Sequence, residues 1–252
     1  MKISSFAVYR VKPRWIFIKL VTDEGIEGWG EMISGTKTET VVAGATELAQ
    51  TLIGRDPFAI ETLWQELYNS FFRGGPINAT IVSGIETALW DIKGKALNVP
   101  IYELLGGRAR DRIKVYSWIG GDRPDDVVRE ALDRKNRGFD AVKMNATEEL
   151  HYIDSYEKVQ AVVDRVASIR KEMGAGFGIA VDFHGRVHKP MAKVLAAALE
   201  PYHLMFLEEV VLPENEEAFR EVAQHVATPL ATGERLCSRW AFKNLFRTGV
   251  ID

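Results

Sequence analysis

Apolar and polar positions partly alternate over residues 3–11 (ISSFAVYRV), 15–25 (WIFIKLVTDEG) and 26–32 (IEGWGEM), the two-residue period of half-buried strands. Asp23, Glu24 and Gly25 supply a turn between the second and third segments, so the pattern predicts an antiparallel meander. From residue 38 the period lengthens to that of helices, over 38–53, over 57–72 (PFAIETLWQELYNSFF) and over 79–97, where Ile81, Ile85, Leu89 and Ile92 fall near helical spacing. Pro57 stands where a helix can begin. Residues 1–110 therefore read as an α+β domain, a three-stranded sheet followed by helices, with LLGGRARDRI as the junction to the second half of the chain.

Beyond the junction the rhythm changes. Strands are predicted at IKVYSWI (113–119), AVKMN (141–145), GIAVDFH (178–184), LMFLEE (204–209), PLATGE (229–234) and GVID (249–252). Amphipathic stretches such as DDVVREALDRKNRG and MAKVLAAALEPY separate them. Strands alternating with helices of this length imply right-handed βαβ units and a parallel sheet, so residues 111–252 read as part of an α/β barrel.

Composition removes several classes of function. With 252 residues, 46% hydrophobic and 27% charged, the chain can bury a sizeable core. A net charge of -3, with Lys and Arg scattered among acids, offers no basic field for nucleic acid or an anionic membrane. Cys237 is the single cysteine, which rules out an intrachain disulfide or a cysteine metal cluster and suits a reducing cytoplasm. The opening residues have no sustained apolar segment and no later run is long enough to span a bilayer, so the expectation is a cytoplasmic protein.

Three predicted strands end in carboxylates. Asp182, Glu208 and Glu234 recur at the same interval of 26 residues. One βα unit of a barrel is roughly this long, about 250 residues for eight units, so the spacing is expected to put the three carboxylates at equivalent depth on the carboxyl-end face. Converging carboxylates repel unless a cation neutralises them, and an all-oxygen set selects a hard ion such as Mg²⁺. Any one of them alone also reads as a helix N-cap or a solvated loop charge. Glu209, on the opposite face from Glu208 if the strand continues, reads as structural.

His184 lies two residues after Asp182 and, by strand alternation, is expected on the same side, where an imidazole can donate a proton to a leaving hydroxyl. The other reading is an imidazole with an ordinary satisfied hydrogen bond. Lys143 and Asn145 share one face of the AVKMN strand, Lys143 placed to bind or deprotonate a substrate and Asn145 to hydrogen-bond a hydroxyl or carboxylate. Lys-x-Asn at a strand end is common, so this pair is weak evidence by itself.

With these residues in place, the chain resembles the enolase superfamily, mandelate racemase subgroup, and within it the galactonate dehydratases. The likeness is carried by YRVKPRWIFIKLVTDEGIEGWGE, FFRGGPI, ALWDIKGKALNVPIYELLGG, YSWIGGDRPDD, DFHGRVHKPMAKVL, LEPYHLMFLEE and TGERLCSR. The resemblance implies an α+β capping domain on a modified TIM-type β/α barrel. It puts Asp182, Glu208 and Glu234 on three Mg²⁺ ligands, His184 on the general acid that expels the 3-hydroxyl, and Lys143 and Asn145 on a pair that contacts substrate. It also likens residues 12–15, with Arg14 and Trp15, and residues 72–76 to capping parts that close over the site.

Two departures stand out. Val210 replaces the proline of a common Glu-Glu-Pro run, which is expected to leave that loop less rigid. The family's barrel continues through strands that carry an Asp-His dyad, the base for the C2 proton, and these would follow Asp252. The barrel is thus expected to be incomplete, with an exposed sheet edge that favours association, a homo-oligomer included.

The resemblance implies Mg²⁺-dependent dehydration of an acid sugar, D-galactonate first, to a 2-keto-3-deoxy acid through an enediolate. Alternatives are another reaction of this type on a different aldonate, a truncated metal-binding relative without turnover, or a piece of a longer product.

Overall fold

The computed structural model describes residues 1–33, 35–70, 75–146 and 150–251, and the chain divides into two compact units, Met1–Asp111 and Arg112–Asp252.

The first unit opens with β1 (Ile3–Val11), β2 (Trp15–Thr22) and β3 (Glu27–Glu31), an antiparallel sheet in the order β1-β2-β3. Alternation along β2 buries Ile16, Ile18 and Leu20. Gly25, at φ 80°, closes the expected turn by donating its N–H to the Thr22 carbonyl.

Among the described residues four helices follow: α1 (Thr38–Gln50), α2 (Ile60–Tyr68), α3 (Gly75–Leu97) and α4 (Ile101–Leu104). The buried stripe Ile81, Ile85, Leu89 and Ile92 of α3 packs with the strand core, as its spacing requires. β3 meets α3 through glycine. A Cβ on Gly30 would lie 1.8 Å from the Gly84 carbonyl oxygen, so a side chain there has no room.

Boundaries differ from the sequence pattern in three places. α1 stops at Gln50 rather than residue 53, because the chain turns there, with Leu52 N–H bonded to Ala49 O and Arg55 N–H to Leu52 O. Pro57 does not start α2. Asp56 Oδ1 accepts the Phe58 N–H in a local turn, and the helix begins at Ile60. α3 begins at Gly75, four residues earlier than the apolar period shows. Residues 71–74, and with them most of the expected 72–76 capping segment, lie outside the described residues.

The second unit runs β4 (Ser117–Trp118), α5 (Pro124–Asn136), β5 (Ala141–Asn145), α6 (Tyr156–Met173), β6 (Gly178–Asp182), α7 (Lys189–Leu199), β7 (Phe206–Glu208), α8 (Glu216–Ala223), β8 (Leu230–Ala231) and α9 (Phe242–Thr248). A single turn of 3₁₀ helix, Glu200–Tyr202, follows α7. The five strands form one parallel sheet in sequence order, β4-β5-β6-β7-β8, the arrangement of consecutive βα units, and it stays open among the described residues.

The two-residue period sorts the sheet's faces. Val142, Met144, Ile179, Val181, Leu207 and Leu230 join one core with residues of α6 and α7 such as Val162, Val166, Met191 and Leu195. Alternation turns Lys143, Asn145, Asp182 and Glu208 the other way. Burying one face against helices therefore commits the polar residues to the opposite one.

Five predicted strands are shorter than their apolar runs, or missing, and 178–184 and 204–209 keep only Gly178–Asp182 and Phe206–Glu208. Of 113–119 only Ser117–Trp118 pairs, because β4 has a single neighbour, β5, on this edge, and Ile113, Val115 and Tyr116 are exposed. Of 229–234 only Leu230–Ala231 is strand. Residues 249–251 are not strand, since Gly249 in the left-handed conformation ends α9 there, and Asp252 lies outside the described residues. No helix among the described residues is long and apolar enough to cross a membrane.

Candidate metal and acid site

Parallel pairing brings the ends of four strands into one row. Asn145 is opposite Asp182, Asp182 opposite Glu208, and Glu208 opposite Ala231. The common interval in sequence thus puts Asp182 and Glu208 at the same depth, but not Glu234. β8 ends at Ala231, and Glu234 comes from the turn beyond it, where Gly233 has φ 132°. The βα loops differ in length, so equal intervals do not fix equal register.

Glu234 reaches the row all the same. One ligand atom each from Asp182, His184 and Glu234 lie within 4.8 Å of one another. The His184 Nδ1 is 3.4 Å from Asp182 Oδ2 and 3.6 Å from Glu234 Oε1. Strand alternation is not what brings the imidazole here. β6 has already ended, and His184 adopts φ 55° in a left-handed turn closed by its own N–H to Asp182 Oδ1 at 2.7 Å.

Glu208 makes a different contact. Its Oε2 accepts from Lys143 Nζ at 2.6 Å, and the same ammonium is 3.4 Å from Asp182 Oδ2. Lys143 therefore bridges the two carboxylates that the register sets side by side. Burial works to lower the pKa of this ammonium, but the Glu208 hydrogen bond and the charges of Asp182 and Glu208 outweigh it and hold the pKa above the ordinary lysine value. Tyr116 adds its ring face, 5.8 Å from Nζ.

The donor set fits a hard divalent ion. Asp182 is buried, Glu208 half-buried and Glu234 exposed, and their negative charge is met in part by one ammonium. Oxygen donors with one adjacent imidazole suit Mg²⁺ better than a soft metal.

Asn145 also lines a cleft of about 750 Å³ with Trp118, His151, Lys158, Arg165 and Arg186. Arg165 is buried there, donating to the carbonyls of Gly121 and Ala146. Burial lowers its pKa, and the nearby Asp122 charge opposes this. Arg14 and Trp15 belong to the other unit, both exposed, at the β1–β2 turn and the start of β2.

Sequence reasoning passed over Arg235, next to Glu234 in the run TGER. Its Nη2 donates to the His184 carbonyl at 2.6 Å. Glu209, read as structural, is fully buried, with Oε1 accepting from Thr232 Oγ1 and the Gly233 N–H. Strand alternation does not govern it, because φ 48° takes it out of the strand. Val210, at the position of the missing proline, is buried too and belongs to the core.

Known proteins resemble both units of the chain. Residues 3–106 match the mandelate racemase / muconate lactonizing enzyme N-terminal domain, and residues 126–252 match the enolase C-terminal domain-like family. The chain belongs to the enolase superfamily. Among superfamily relatives, D-galactonate dehydratase of Ralstonia nicotianae is 50% identical over 250 residues, 99% of this chain and 65% of the relative. That of Cronobacter sakazakii is 48% identical over the same share of each. The chain thus spans just under two thirds of the length of these curated relatives.

Solved enolase superfamily structures superpose on nearly the whole chain. A member from Salmonella Typhimurium gives a TM-score of 0.93 at 31% identity, covering 99% of this chain and 72% of that one. An enolase from Agrobacterium radiobacter, bound to Na and L-malate with an ordered active site, gives 0.91 at 33% identity, covering 100% and 66%.

Proposed function

We propose that this chain carries the metal-binding and acid groups of a Mg²⁺-dependent acid-sugar dehydratase, with D-galactonate as the first substrate to test. The observation that carries the reading is the convergence of Asp182, His184 and Glu234 within 4.8 Å, beside the Lys143-bridged pair Asp182 and Glu208. The names of the relatives from Ralstonia nicotianae and Cronobacter sakazakii support the substrate class.

In this reading Asp182, Glu208 and Glu234 hold the ion. Bound Mg²⁺ supplies Lewis acidity and charge to stabilise the enediolate formed when the proton beside a carboxylate is removed. His184 holds a proton at the position where the 3-hydroxyl leaves, and Asp182 orients it through the turn. Lys143 places positive charge next to the substrate carboxylate, and Asn145, which lines the cleft, hydrogen-bonds the carboxylate or a hydroxyl. The family resemblance offers Arg14 and Trp15 as further substrate-binding residues. Cys237, exposed and unpaired with another cysteine, fits a reducing cytoplasm as the setting.

The test is Mg²⁺-dependent formation of a 2-keto-3-deoxy acid by the 252-residue chain over a panel of aldonates, with EDTA as the control. The panel includes a hydroxy-dicarboxylate, because the Agrobacterium structure holds L-malate. Turnover of galactonate that EDTA abolishes is the expected result, and it requires a base within the chain to take the C2 proton, a role that Lys143→Met tests first. A folded chain that binds Mg²⁺ but converts no acid on the panel would withdraw the dehydratase reading and leave a metal-binding relative.

A further inference from the structure

His184 and Glu209 stand just past the ends of neighbouring strands, and both are non-glycine residues in the left-handed conformation, at φ 55° and 48°. Such backbone persists only where its surroundings hold it. Here the restraints converge on one pair of side chains. Glu209 Oε1 accepts from Thr232 Oγ1 at 2.8 Å and from the Gly233 N–H at 2.9 Å. Its Oε2 has no hydrogen-bond partner among the described residues and lies 3.6 Å from Arg235 Nε, an ion-pair distance rather than a hydrogen bond.

Arg235 then crosses to the other loop. Its Nη2 donates to the His184 carbonyl at 2.6 Å, and its guanidinium passes so close to Gly185 that a Cβ there would lie 3.3 Å from Cζ. The Gly185 N–H returns to the Glu209 carbonyl at 3.1 Å. Glu234 sits between Gly233 and Arg235, so both of its neighbours are held by the Glu209 carboxylate.

Burying a carboxylate costs desolvation, and well-packed apolar residues stabilise a fold about as well as a buried ion pair does. Stability alone therefore gives little reason for Glu209 and Arg235. Their geometry gives a better one, since they join the loop that carries His184 to the loop that carries Glu234.

We infer that Glu209 and Arg235 act as one positioning device for the metal group, fixing His184 and Glu234 relative to Asp182. This rests on the proposed reading of Asp182, His184 and Glu234 as facing the ion.

The experiment measures Mn²⁺ affinity and the Mn²⁺ EPR line shape in the 252-residue chain for Glu209→Gln, Arg235→Met, the double variant and Arg235→Lys. Each of the first two is expected to weaken Mn²⁺ by about tenfold or more and to broaden the spectrum, as loss of groups that orient ligands does. The double variant should be no weaker than the worse single one, and Arg235→Lys should recover part of the loss. Parental affinity in both single variants, or losses that multiply in the double, would overturn the inference. Should Glu209→Gln fail to fold, the two Arg235 variants carry the test, because that side chain is 37% exposed. Asp182→Asn separates the two levels. If it keeps parental affinity, the site reading falls and this inference with it. If it loses binding while the Glu209 and Arg235 variants keep theirs, this inference alone falls.

Discussion

The Asp182 carboxylate does two things at once: Oδ1 accepts the backbone N–H of His184 at 2.7 Å, while Oδ2 lies 3.4 Å from the His184 imidazole and 3.4 Å from the Lys143 ammonium. The residue assigned to the ion therefore also shapes the turn that delivers the imidazole. Asn keeps an acceptor oxygen for that turn and loses the charge, whereas Ala loses both.

Asp182→Asn and Asp182→Ala are both expected to abolish Mg²⁺ binding by calorimetry. In EDTA the Ala variant should unfold more easily than the Asn variant, by about 1 kcal/mol in denaturant titration, the worth of a typical hydrogen bond. Mg²⁺ bound by Asp182→Asn with parental affinity would remove Asp182 from the metal site.

Lys143 and a divalent ion answer the same two carboxylates. In Lys143→Met, Asp182 and Glu208 face each other without the ammonium, and breaking such a largely buried pair costs about 3 kcal/mol in the metal-free protein. Mg²⁺ should then raise the melting temperature more in the variant than in the parent. Equal shifts in the two proteins would mean that the ion binds elsewhere.

His184→Asn separates proton donation from ligation. Asn tolerates the left-handed backbone at φ 55°, so the turn should survive the change. Dehydration is expected to fall by about 100-fold or more while Mg²⁺ affinity stays close to the parent's. A collapse of Mg²⁺ affinity would identify the imidazole as a ligand and sink its role as the acid.

Asp154, two residues before α6, gives a pH dependence with a definite sign. The Lys158 hydrogen bond, followed by the backbone N–H groups of His151 and Ser155, pushes its carboxyl from the ordinary 3.8 down to about 2. A folded value below the unfolded one means the contribution to stability is present above the unfolded pKa and is lost as pH falls through the folded value. An NMR titration of the carboxyl should show a midpoint near 2, moved upward in Lys158→Met. A midpoint unmoved by that substitution would assign the effect to the backbone donors.

How much of this was legible in the sequence depends on whether a property repeats locally. Two-residue alternation in AVKMN and GIAVD is a local property, and it commits Val142, Met144, Ile179 and Val181 to the helix side and leaves Lys143 and Asp182 on the other. The same holds for the stripe of α3 and for the change from an antiparallel meander to alternating strands and helices. Edges were less legible, because the length of β4 depends on how many neighbours it pairs with.

The sequence by itself determined the two rhythms, the polar face of the sheet and the set of carboxylates and imidazole that this face offers, since each follows from side-chain chemistry and a short period. Tertiary structure decided their pairing. That Glu208 bonds Lys143, that Glu234 comes from a turn and not a strand end, and that Arg235 ties its loop to His184 all depend on loop lengths and left-handed turns that meet across strands. These contacts join residues tens of positions apart, and no local pattern encodes a distance between two loops.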